Sequence, residues 1–185
     1  MLPMPSASDN IRRMVERFFP DACADSVYAI DLRELRARGM RGIILDADNT
    51  LLRPNAKKPD ARIIDWLASA RCAGFELCVL TNSRMRRADA FAAAPGLHFI
   101  PRARKPSMKG YKEALRLMGL ESCEVCMVGD QIFTDVYGAR RMGMYAIHTK
   151  PIVLREVFTV MLKRIPEAFV LWKWQRARDC GELAK

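Results

Sequence analysis

Between residues 42 and 148 the chain repeats one arrangement: a short, almost wholly apolar run that stops at polar or acidic residues. This repeat constrains the fold more than any other feature of the sequence. Ile43-Ile44-Leu45 runs into Asp46-Ala47-Asp48-Asn49-Thr50, and Glu76-Leu77-Cys78-Val79-Leu80 into Thr81-Asn82-Ser83. A shorter run, Leu97-His98-Phe99-Ile100, leads to a loop carrying Lys105-Pro106. Val125-Cys126-Met127-Val128 ends in Gly129-Asp130, with Asp135 following, and Met144-Tyr145-Ala146-Ile147 is one more apolar run. Runs this short, apolar on both faces and bounded by turn residues, are expected as buried strands.

The stretches between them are helical in period. Ile63, Ile64, Leu67 and Ala68 share one face of Ala61–Ala73, and Tyr111, Ala114, Leu115 and Met118 share one face of Ser107–Met118. Gly74 and Gly119 supply the stops. Strands alternating with helices predict an α/β, Rossmann-like fold, a parallel sheet with helices on both faces. The absence of repeats and of a low-complexity linker leads us to expect one domain over 1–185, with a catalytic core at about 41–150. Outside the core, Asp9–Phe19 and Leu154–Trp174 are amphipathic or apolar helical patterns.

Composition narrows the classes further. Half of the 185 residues are apolar, enough for a buried core, but charge interrupts every apolar run well short of the roughly 18 residues that span a bilayer. The six cysteines are expected as reduced thiols, since the chain lacks a secretory leader and the density of a disulfide scaffold. Cys123 and Cys126 form an isolated C-x-x-C with no second pair at zinc-site spacing, and Cys126 reads as a small strand hydrophobe. A formal charge of +10 draws the molecule toward anions, whether phosphorylated substrates, acidic lipid surfaces or nucleic acid.

In an open parallel sheet, ligands bind beyond the carboxyl ends of the strands, where these polar clusters fall. D-x-D-N-T from Asp46, T-N-S from Thr81, the Lys105-Pro106 pair and G-D-x-x-x-x-D from Gly129 resemble, in their order and strand-end context, the four motifs of the haloacid dehalogenase superfamily. The gaps from Thr50 to Thr81 and from Ser83 to Lys105 have no room for an inserted cap domain. Arg41-Gly42-Ile43-Ile44-Leu45-Asp46, Ala103-Arg104-Lys105-Pro106 and Gly129-Asp130-Gln131-Ile132-Phe133-Thr134-Asp135 resemble the bacterial YqeG family, subclass IIIA, whose relatives include mitochondrial phosphatidylglycerophosphate phosphatases.

The residue types suit phosphomonoester chemistry in their own right. An anionic nucleophile approaching an anionic phosphoryl group needs a metal and fixed donors to offset the repulsion. Asp46 can attack phosphorus to form an aspartyl-phosphate, and Asp48 can protonate the leaving oxygen and then deprotonate water. Asp46, Asp130 and a backbone carbonyl suit octahedral Mg²⁺. The resemblance assigns that carbonyl to Asp48, and gives Asp135 a supporting place near the metal or the lysine. Thr81, Asn82 and Asn49 are expected at the phosphoryl group, Lys105 as its counter-charge, and Thr50 and Ser83 as loop supports.

The resemblance implies a lipid phosphate substrate and phosphatidylglycerol as product. Basic and aromatic residues interleave over Lys150–Arg178 and over Ile11–Phe19, a blend found in interfacial helices, so a cytoplasmic protein peripheral to the inner membrane face is the expectation. Two alternatives stay open: a phosphatase for a soluble sugar, nucleotide or phosphoprotein, and a basic RNA- or ribosome-binding module. Nucleic acid is not favoured, because Arg84, Arg86 and Arg87 lack interleaved aromatics.

Overall fold

The computed structural model describes residues 14–54, 56, 58–83, 91, 96–153 and 158–181, and the side chains of 158–164 lie outside that description. Six strands form one parallel sheet: β1 (Ala22–Ala24), β2 (Gly42–Leu45), β3 (Glu76–Leu80), β4 (Leu97–Ile100), β5 (Val125–Gly129) and β6 (Tyr145–Thr149). Their spatial order is β1-β6-β5-β2-β3-β4. The described helices are α1 (Leu32–Ala37), α2 (Ala61–Cys72), α3 (Met108–Met118), α4 (Tyr137–Arg141) and α5 (Phe158–Asp179). Residues 9–13, 84–87 and 154–157, on which parts of the sequence reading fell, lie outside the described residues.

Local chemistry sets the helix limits. Asp60 caps α2 by accepting from the Ile63 N–H at 2.9 Å, and Ser107 accepts from the Lys109 N–H at the start of α3. Gly119 ends α3 in the left-handed region at φ 65°, which costs a glycine no Cβ clash.

Because successive side chains of a strand point to opposite faces, β2 feeds two cores. Ile43 and Leu45 pack with Leu77, Val79, Ile63 and Leu67 under α1 and α2. Ile44 packs with Cys78, Leu80, Tyr111, Ala139 and Trp174 under α3, α4 and α5. All six thiols are free, with Cys78 and Cys126 fully buried in the sheet.

Strand β1 is an element the sequence reading did not contain. It pairs parallel with β6, and the Asp21 carboxylate before it accepts from the Ala146 N–H at 2.7 Å and from Arg140 at 2.6 Å. Three residues with no alternating pattern give periodicity nothing to detect.

The chain leaves β2 for β3 and β4 on one side, then returns to β5 on the other. The strand order therefore reverses between β2 and β5, and the crevice of such a sheet opens at that point. Residues 46–60 with α2 fill the connection from β2 to β3, and residues 81–96 the connection from β3 to β4, so neither holds a cap domain.

Candidate active site

Asp46 and Asp130 follow β2 and β5 directly, one on each side of the reversal. Backbone pairing continues past the strand, with the Asp46 N–H donating to the Val128 carbonyl at 2.9 Å. After Asp130 the chain makes one turn of π-helix, Ile132–Val136, which brings Asp135 back to the same crevice. Asp135 Oδ2 accepts from the Gln131 N–H at 3.1 Å. It also lies against Gly129, where an added Cβ would meet that oxygen at 2.3 Å. The close approach requires glycine at position 129.

Asp46, Asp130 and Asp135 are all buried, and each offers a carboxylate oxygen within 4.8 Å of the other two. Lys105 Nζ is 2.7 Å from Asp135 Oδ1 and also bonds Asp46 Oδ1. Burial pushes the Asp46 carboxyl up to about 7; Lys105 opposes the shift, and Asp135 and Asp130 add to it. The ammonium of Lys105 is disfavoured by its own burial, yet the two carboxylates beside it raise its pKa above the ordinary value.

Three buried carboxylates against one ammonium leave an excess negative charge that a dry site does not tolerate alone. Asp46 Oδ2 is buried with no hydrogen-bond partner among the described residues. A hard divalent cation suits that oxygen-rich donor set, and it would also satisfy the orphaned oxygen.

The remaining expected residues form a frame around these groups. Asp48 Oδ2 accepts from the Ser83 hydroxyl at 2.6 Å and the Thr81 hydroxyl at 3.1 Å, while Thr81 Oγ1 accepts from the Ser83 N–H at 3.0 Å. Thr81, expected to face the phosphoryl group, thus orients Asp48 here. Asn82 and Lys105 exchange two bonds: the Lys105 N–H donates to Asn82 Oδ1 at 2.6 Å, and Asn82 Nδ2 donates to the Lys105 carbonyl at 3.2 Å. Thr50 Oγ1 donates to Asp130 Oδ1 at 3.3 Å.

Asn49 has a structural role in addition to the one expected of it. Expected at the substrate, its amide bonds Val153, donating to the carbonyl at 2.9 Å and accepting from the N–H at 2.8 Å. Its φ of 68° lies in the left-handed region, which asparagine tolerates better than most residues. His148 is absent from the expected site residues, yet its Nε2 lies 3.1 Å from the Asp130 carbonyl and braces the turn that carries Asp130. A histidine directly after the apolar run Met144–Ile147 was the available signal.

Comparison with known proteins agrees with this geometry. The haloacid dehalogenase-like hydrolase family matches residues 55–143. The chain belongs to that family and is a phosphatase of its class. It is 34% identical over 162 residues to "Probable phosphatase YqeG" of Bacillus subtilis, spanning 85% of this chain and 92% of that one. It is also 30% identical over 165 residues to the chloroplastic phosphatidylglycerophosphate phosphatase 1 of Chlamydomonas reinhardtii, spanning 84% of this chain and 61% of the alga's. Among solved structures, an uncharacterized protein from Listeria monocytogenes superposes with a TM-score of 0.51 at 20% identity, over 72% of this chain and 99% of that one. That likeness speaks to the fold alone.

Proposed function

We propose that the protein is a Mg²⁺-dependent hydrolase of a lipid phosphomonoester, phosphatidylglycerophosphate, acting through an aspartyl-phosphate at Asp46. The buried, unpartnered oxygen of Asp46 beside Lys105 is the observation that carries the catalytic half of this reading.

In the first step a carboxylate oxygen of Asp46 forms a bond to phosphorus as the ester P–O bond breaks, and the Asp48 carboxyl gives its proton to the leaving oxygen. In the second, Asp48 takes a proton from water as that water attacks phosphorus, releasing inorganic phosphate and restoring Asp46. Thr81 and Ser83 hold Asp48 in one orientation through both steps. Lys105 offsets the charge of Asp46 and, with the Asn82 backbone N–H, that of the phosphoryl group. Mg²⁺ on Asp46, Asp130 and the Asp48 carbonyl would add the Lewis-acid share of that neutralisation.

Three features support a lipid substrate at an anionic membrane surface. The crevice has no cap to enclose a small molecule. Relatives carry the phosphatidylglycerophosphate phosphatase name. Helix α5 buries Val170 and Trp174 but exposes Ile165, Phe169 and Trp172, with Lys173 over the Phe169 and Trp172 rings and Arg176 over Trp172. That pairing of aromatics with cations suits an acidic headgroup layer. Among the described residues, no helix is long and apolar enough to cross a membrane.

The test is phosphate release with Mg²⁺ from detergent-dispersed phosphatidylglycerophosphate, sugar phosphates and nucleotides, with wild type beside Asp46→Asn. Selective lipid turnover abolished in the variant is expected. Turnover of a soluble phosphate alone would discard the lipid, and activity surviving in Asp46→Asn would discard the nucleophile.

A further inference from the structure

The segment that delivers Lys105 alternates in burial. Ala103 and Lys105 are buried, while Arg102 and Arg104 are exposed. Both arginines have left-handed backbone, with φ 50° and 54°, and the only other described non-glycine residue in that region is Asn49. Arginine gains nothing locally from this conformation, because its Cβ crowds the following carbonyl. Such strain persists where surrounding structure imposes it, and it clusters at ligand clamps.

Here the imposing structure is the loop that follows β3. The Arg102 N–H donates to the Ser83 carbonyl at 3.1 Å, the Ala103 N–H to the Thr81 carbonyl at 2.9 Å, and the Lys105 N–H to Asn82 Oδ1. The backbone that carries both arginines is thereby held against Thr81, Asn82 and Ser83, beside the residues proposed to hold the phosphoryl group.

Their surroundings leave both charges available. No hydrogen bond, ion pair or ring contact engages either side chain among the described residues. Arg36, Arg38, Arg62, Arg116, Arg140, Arg141 and Arg178 are each stacked or paired, and what separates Arg102 and Arg104 from the likewise uncontacted Arg33 and Arg53 is their left-handed backbone beside the site. Two unpartnered cations two residues apart on strained backbone concentrate positive charge at this loop, and guanidinium groups match the oxygens of a phosphate diester.

We infer that Arg102 and Arg104 form a subsite for a second anionic group of the substrate, a phosphodiester on the alcohol side of the scissile phosphomonoester. This rests on the phosphatase reading and narrows its substrate to molecules that carry two phosphates. The same diester occurs in a membrane lipid and in its deacylated, water-soluble headgroup, so the subsite selects the headgroup and α5 the bilayer.

The experiment compares wild type, Arg102→Gly, Arg104→Gly and Arg104→Lys on three substrates: p-nitrophenyl phosphate, the deacylated glycerophosphoglycerol phosphate headgroup, and phosphatidylglycerophosphate in mixed micelles. Glycine suits the left-handed backbone, so folding is retained, and a thermal melt checks this. The expected result is a fall in kcat/KM on the headgroup and the lipid at least tenfold greater than on p-nitrophenyl phosphate, carried mainly by KM. Arg104→Lys should recover part of the loss. Tenfold corresponds to about 1.4 kcal/mol of lost binding.

Proportional losses on all three substrates, or none, would overturn the subsite. A loss on the lipid but not on the headgroup would also overturn it, since the residues would then act on the bilayer. Wild type inactive toward every substrate would instead mark failure of the phosphatase reading itself.

Discussion

Lys105 stands between two buried carboxylates, bonding Asp46 on one side and lying 2.7 Å from Asp135 on the other. Lys105→Met keeps the stem and removes the charge, leaving both acids unpaired in a dry site. A loss of about 3–5 kcal/mol is expected, read from urea unfolding without metal, together with a fall in kcat of at least about a hundredfold. A stable, active variant would show that the lysine is dispensable to both.

The carboxyl of Asp46 gives stability a defined pH slope. In the metal-free protein its pKa is pushed up to about 7, whereas the unfolded chain ionises near 4. The folded state therefore holds the extra proton between those values, and this group's contribution is lost as pH rises through about 7. Asp46→Asn, similar in shape and never charged, should melt several degrees above wild type at pH 8 and level with it below about pH 4. Melts at pH 4, 6 and 8 check this, and a difference that ignores pH would refute it. Adding Mg²⁺ at pH 8 should raise the wild-type Tm and not that of the variant.

Gly129→Ala tests the contact that seats Asp135. The new methyl would lie 2.3 Å from Asp135 Oδ2, so the carboxylate must move away from Lys105. At least tenfold weaker Mg²⁺ binding is expected by calorimetric titration, with activity reduced in step. Unchanged affinity would mean that Asp135 has no part in the metal site.

For Asn49, two substitutions separate backbone strain from the clamp on Val153. Asn49→Ala loses both amide bonds and must hold φ 68° with a Cβ, whereas Asn49→Gly loses only the bonds. Urea unfolding should place the alanine variant about 1 kcal/mol or more below the glycine variant. Equal stabilities would remove the strain argument.

On α5, Phe169→Glu with Trp172→Glu replaces exposed aromatics, so the fold should hold while attachment fails. Co-sedimentation with vesicles rich in phosphatidylglycerol should drop at least tenfold, with the Tm nearly unchanged. Retained sedimentation would move the membrane contact elsewhere.

Much of this molecule was legible because its central strands β2 and β5 are buried at every residue. Ile43, Leu77 and Val128 lie on strands apolar on both faces, and each strand ends where the polar motif begins, so period and punctuation agreed. Helix stops followed from Gly74 and Gly119. What stayed hidden depended on distance in sequence rather than pattern. β1 forms where Asp21 meets Ala146 and Arg140, and the buried Asn49 amide is bound to Val153. Local residue type cannot encode a partner a hundred positions away.

The three-residue strand β1 also governs how the protein behaves in company. A sheet that stops on so short an edge offers an incoming strand only a few free backbone groups, too few to template stacking. Copies of the chain held at high concentration therefore find little backbone at this edge on which to extend the sheet.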